Sequence, residues 1–174
     1  MHDDDTLPLS RLVPVDKLPG RGENVRVEAT EEERRALAQA FKLPAIHTLV
    51  GEYRVTGDTR GASVVGRVKG RVTQTCVVTL EPFEAEVEEE VDVDYAPATE
   101  PADEEEAELR KLDPPDEIVN NRIDLGALTA EFLALGLDPY PKKPGAEFTP
   151  VVEDGEEGSP FDKLKALKGP KGGG

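Results

Sequence analysis

The chain has a single cysteine, no tryptophan and only two histidines, and its 21 basic residues fall far short of its 37 acidic ones. Each shortage excludes something. One cysteine closes no internal disulfide, and a lone thiol suits a reducing compartment. Apolar residues make up 37% of the 174 and charged residues 33%. That composition supports one modest core but cannot bury the whole length. A formal net charge of -16 repels phosphate backbones, which argues against a general electrostatic nucleic-acid binder. It suits high solubility or the capture of a basic partner. No stretch approaches the roughly 20 apolar residues of a membrane span. The opening MHDDDTLPLS lacks the basic and apolar regions of a signal peptide. The expectation is a cytoplasmic protein.

Motifs that carry chemistry are missing too. There is no HExxH, no EF-hand spacing, no P-loop and no dinucleotide fingerprint. The terminal GPKGGG has neither strand nor helix beside it. Ser10, Ser63 and Ser159 lie outside any GxSxG-like setting. His47 reads as a strand residue. No cofactor and no enzymatic activity are expected.

What is present is an α+β pattern on an antiparallel meander, curved or partly barrel-like, with two main helices and an extended C-terminal tail. Residues 1–19 form a Pro-broken lead-in, in which Pro14 and Pro19 confine any strand to an edge. A single domain follows over 20–145, interrupted by an acidic connection at 98–117. Residues 146–174 make a flexible tail with a short basic amphipathic helix. The first domain helix is signalled by Thr30 and Glu33, which form a capping box before EEERRALAQAFKL (31–43), and Pro44 stops it. Leu37, Ala40 and Phe41 share its apolar face. In the next segment His47, Leu49, Gly51, Tyr53 and Val55 share one strand face. Gly66 and Gly70 in the following strand, 62–80, suggest bulges or bends. The second helix falls in IDLGALTAEFLALGL (123–137), with Asp124 as N-cap and Leu128, Phe132 and Leu135 at helical spacing.

The stretch TCVVTLEPFEAEVEEEVDVDYAP (75–97) is the most patterned. Phe83, Ala85, Val87, Val91, Val93 and Tyr95 alternate with Glu84, Glu86, Glu88, Glu90, Asp92 and Asp94, which marks a strand with one buried face. Glu89 breaks the apolar row. With Glu81-Pro82 as a two-residue connection, Leu80 pairs with Phe83, Cys76 with Val87, Arg71 with Asp92 and Lys69 with Asp94. Each such opposite-charge pair contributes roughly 0.2–1 kcal/mol. Acids spaced about 7 Å apart along a flat face do not converge on a metal, and exposed ones keep ordinary acidity. A solvated sheet face is the plainer reading, and an acidic docking face for a basic partner, centred on Asp92 and Asp94, is the functional one. Cys76 on an apolar strand face is a small core hydrophobe.

Three segments in order, TCVVTLEPFEAEVEEEVDVDYAP, IDLGALTAEFLALGLDPYPKKPG and SPFDKLKALK, closely resemble the YceD-type family of large ribosomal RNA subunit accumulation proteins. The resemblance covers roughly residues 20 to 168. It implies a bacterial or organellar protein needed for normal accumulation of large-subunit (23S) ribosomal RNA, placed in ribosome biogenesis and without catalytic activity. The resemblance implies that many relatives carry C-x-x-C at the turn between these two strands. Here Cys76 matches the first position and Thr79 occupies the second, so a metal is not carried over. Two contacts with an assembly precursor follow. The acidic face could hold a basic ribosomal protein, with long-range attraction speeding encounter. The tail could bind ribosomal RNA or another partner through Lys163, Lys165 and Lys168, with Phe161, Leu164 and Leu167 at helical spacing. The competing expectations are a general acidic scaffold or holdase without ribosomal specificity, and an enzyme whose site is a cleft with shifted carboxylates.

Overall fold

The computed structural model describes residues 7–98, 105 and 115–147. Its sheets are mostly antiparallel and do not close into a barrel. The main sheet takes the order β2 (Glu23–Glu28), β3 (Ala45–Asp58), β4 (Gly61–Thr75), β5 (Pro82–Pro97) and β6 (Asp116–Ile118). All neighbours are antiparallel except β5 and β6, which run parallel. A second, two-stranded sheet joins β1 (Leu12–Pro14) to β7 (Arg122–Asp124). Helix α1 spans Glu31–Ala40 and α2 spans Leu125–Gly136. This is the α+β meander with two main helices that the patterning implies.

Both helix starts form as the caps dictate. Thr30 Oγ1 accepts from the Glu33 backbone N–H at 3.3 Å, and Glu33 Oε2 accepts from the Thr30 N–H at 2.8 Å. Arg11 grips the same carboxylate at 2.7 and 2.9 Å. That guanidinium, first among the causes, holds the Glu33 carboxyl down at about 2. Asp124 accepts from the N–H groups of Gly126 and Ala127, from the Arg11 N–H and from the Ser10 hydroxyl. One cap thus ties the N-terminal segment to α2, and Leu9 and Val15 are buried as a result. The approach is so close that a side chain at Gly126 would meet the Ser10 and Arg11 backbone at 2.6 Å.

Several expectations need correction. On α1 the buried pair is Leu37 and Ala38, with Phe41 half-buried and Ala40 exposed. On α2, Leu135 is 73% exposed, and Leu125, Leu128, Thr129 and Leu133 face the core. A bulge between Ile46 and Thr48 leaves His47 unpaired in the ladder. Ile46 is therefore buried, while His47 is half-buried and its Nε2 bonds Thr73 Oγ1 at 2.8 Å. Gly66 and Gly70 bring no register shift between β3 and β4. They clear space instead: a Cβ at Gly66 would stand 2.0 Å from the Glu52 carbonyl and 2.9 Å from the Tyr53 ring, and one at Gly70 would stand 2.9 Å from Leu133. Tyr53 lies in that space, and its hydroxyl pairs with Thr129 Oγ1 of α2 at 2.6 Å.

A candidate docking face and its surroundings

The outward side of the main sheet carries charge in rows. Arg26 faces Glu52, Glu52 faces Arg67, and Arg67 faces Glu90, so sign alternates across four strands. The next row sets Lys69 opposite Glu88, and the one after sets Arg71 opposite Glu86. Lys69 Nζ reaches Glu88 at 2.9 Å, and Arg26 reaches Glu52 at 2.7 Å. These are exposed pairs, each worth at most about 1 kcal/mol. The apolar partners point inward: Val87, Val91 and Tyr95 of β5 are buried, and so are Val64, Val68 and Val72 of β4.

The faces therefore meet as the alternation predicts, but the register is shifted. Strand β4 ends at Thr75, which pairs with Pro82, and Gln74 pairs with Phe83. Arg71 and Lys69 thus meet Glu86 and Glu88, while Asp92 faces Val65 and Asp94 faces Ser63. The cause is the connection. Residues 76–81 make a turn in which Cys76 N–H bonds the Glu81 carbonyl and Leu80 N–H bonds the Cys76 carbonyl, both at 2.9 Å. Leu80 accepts a positive φ of 60° there. The shift is even, so inward residues stay inward.

Asp92 and Asp94 are exposed on this face, and no ion pair to either forms among the described residues. The other expected contact residues, Phe161, Lys163, Leu164, Lys165, Leu167 and Lys168, lie outside the described residues. So does most of the acidic connection; its last residues, Asp116 and Glu117, belong to β6.

Cys76 sits in the turn rather than on the strand, and it is fully buried. The Thr79 hydroxyl, followed by the Lys143 backbone N–H, bonds its sulfur and lowers the thiol to about 7. The segment after α2 covers this turn: Val77 N–H bonds the Pro141 carbonyl at 2.9 Å, and Lys143 Nζ meets Glu81 at 2.9 Å. Among the described residues no group of three or more His, Cys, Asp or Glu is placed to hold a metal.

A cavity of about 410 Å³ opens where β6, β7 and α2 meet, lined by Leu12, Tyr95, Asp116, Arg122, Leu128 and Glu131 among others. Burial, then the charges of Asp116 and Asp124, push the Glu131 carboxyl up. Burial raises Tyr95 as well. No serine, cysteine or histidine is among the described residues that line it. This grouping joins residues far apart in the chain, which no local pattern could have revealed.

A family model described as "Large ribosomal RNA subunit accumulation protein YceD" matches residues 64–168, more than half of the chain. The chain belongs to the YceD family. The matched region begins within β4 and takes in the β4–β5 hairpin, the Cys76 turn and α2. It also includes the basic segment around Lys163 and Lys168. The YceD family is named for accumulation of the large ribosomal RNA subunit, and its name carries no catalytic activity. Comparison with curated proteins and with solved structures returned no match. No helix among the described residues is long and apolar enough to cross a membrane.

Proposed function

We propose that this protein is a non-enzymatic, cytoplasmic ribosome-biogenesis factor that supports large-subunit RNA accumulation by holding a basic ribosomal protein. The family match supplies the setting. The observation that carries the mode of action is the carboxylate row of β5. Lys69 and Arg67 meet Glu88, and Asp92 and Asp94 face uncharged residues. Carboxylates with no cation beside them among the described residues are the ones left to attract one from a partner. The net charge of -16 extends that attraction beyond contact distance. The basic segment with Phe161, Lys163, Leu164, Lys165, Leu167 and Lys168 is proposed as a second contact, to RNA or protein of the same precursor. A ribosome-independent holdase would share the acidic face but not the precursor.

Sedimentation of cell extract tests this reading. The protein is expected to migrate with a large-subunit precursor in low salt and to leave it in high salt. Replacing Asp92 and Asp94 together by lysine is expected to release it in low salt as well, with the folded domain intact. A protein confined to the top of the gradient in both salts would overturn the proposal. Unchanged migration of the double variant would remove the acidic face from it.

A further inference from the structure

Strand β5 has one edge committed and one largely free. Its inner edge pairs with β4 continuously from Pro82 to Tyr95. Its outer edge meets β6 only at Tyr95, Ala96 and Pro97. From Phe83 to Asp94 nothing among the described residues pairs with that edge. A run of backbone donors and acceptors of this length is a template for another strand. The free edge of β2 is much shorter, Glu23–Glu28.

We infer that this free edge of β5 accepts, as an added strand, an extended segment of the basic partner in which Lys or Arg alternates with apolar residues. This rests on the proposed function and deepens it. The reason is register. In an added strand, side chains opposite one another stand about 5 Å apart on the same face. Every second residue would therefore stand beside Glu84, Glu86, Glu88, Glu90, Asp92 or Asp94 on the outer face; Glu86, Glu88 and Glu90 already face Arg71, Lys69 and Arg67, and Asp92 and Asp94 are the ones that call for a cation from the added strand. The intervening residues would cover Phe83, Ala85 and Val93, which are only half-buried, and apolar side chains suit them.

The same pattern rejects a second copy of this chain. Antiparallel pairing of two β5 edges would set one acid row beside the other, and parallel pairing would set acids against the apolar side. Like charges directly opposite are destabilising. Glu89 strengthens the guard. It is half-buried on the inward face, and a side chain added at Gly136 of α2 would meet its Cγ at 2.8 Å. An inward-pointing charge is a recognised defence of an edge strand against indiscriminate pairing.

The test uses the full chain and a synthetic peptide of alternating lysine and valine, with a second peptide N-methylated at every other residue on its pairing edge. N-methylation removes strand hydrogen bonds but leaves charge unchanged. Binding is read by titration and by hydrogen exchange of individual amides. The expected result is protection of β5 amides between Phe83 and Asp94, with affinity at least tenfold weaker for the methylated peptide. Equal affinity of the two peptides, or protection elsewhere than β5, would overturn the inference. So would protection of β5 without peptide that disappears when residues 148–174 are removed, or a dimer joined through β5. Failure here with intact precursor co-migration strikes only the edge. Peptide addition without co-migration strikes only the ribosomal reading.

Discussion

The Thr79 hydroxyl is the first cause of the lowered pKa of Cys76, about 7 against an ordinary 9.0. A thiol lowered by folding adds stability above its unfolded pKa, and that contribution fades as pH falls through 7. Thr79→Ala should move the Cys76 titration upward, toward 9. The Cβ chemical shift of a labelled cysteine, followed against pH, measures it; an unmoved midpoint would assign the effect to the backbone N–H groups alone. The identity of these two residues was plain in the sequence. The resemblance set them as two positions of one motif, but the bond between them was hidden because Cys76 read as the continuation of a strand. The α-turn that carries it, with Leu80 at φ 60°, uses a residue type that gives no turn signal.

At the scale of the element, α1 shows how much a local signal can specify. Thr30 and Glu33 form the reciprocal cap the spacing predicts, because both partners lie within one turn. The alternation of β5 likewise assigned its faces correctly, since side-chain direction follows from period two alone. Register needed the length of the turn, and the turn is held by contacts from Pro141 and Lys143, far along the chain. Gly66 and Gly70 of β4 were misjudged for a related reason. Their role is to admit Tyr53 and Leu133, residues of other elements. Gly66→Ala, which puts a methyl group against the Glu52 carbonyl and the Tyr53 ring, should destabilise the domain by about 1–3 kcal/mol. A urea midpoint equal to that of the parent would show that the sheet yields there at little cost.

For the molecule as a whole, the buried core among the described residues runs from Leu9 to Leu133. The proposed contact segment follows well after it. Deleting residues 159–174 should therefore leave the thermal transition within a few degrees of the parent while weakening attachment to the large-subunit precursor. Loss of the cooperative transition would make the tail part of the fold, and unaltered attachment would discard it as a contact. Fold class and family were legible because they rest on helix caps, strand alternation and three ordered segments. The docking edge was only half legible. The acid row stood in the sequence, whereas the Phe83–Asp94 edge, which no described strand pairs, is a property of topology.

That topology also imposes an order in time. Ser10 and Asp124 are bonded across 114 positions, and among the described residues β1 pairs with β7 alone. On a translating ribosome, β2 to β5 can pair as they emerge, since each meets its sequence neighbour or waits only for α1. The segment holding Leu9 and Val15 can meet α1 early, through Arg11 and Glu33, but its partners in β7 and α2 come much later. Its contacts with Asp124 and β7 form only after more than a hundred further residues have been made. The segment is therefore among the last to be locked in place, although it is made before the strands and helices it joins.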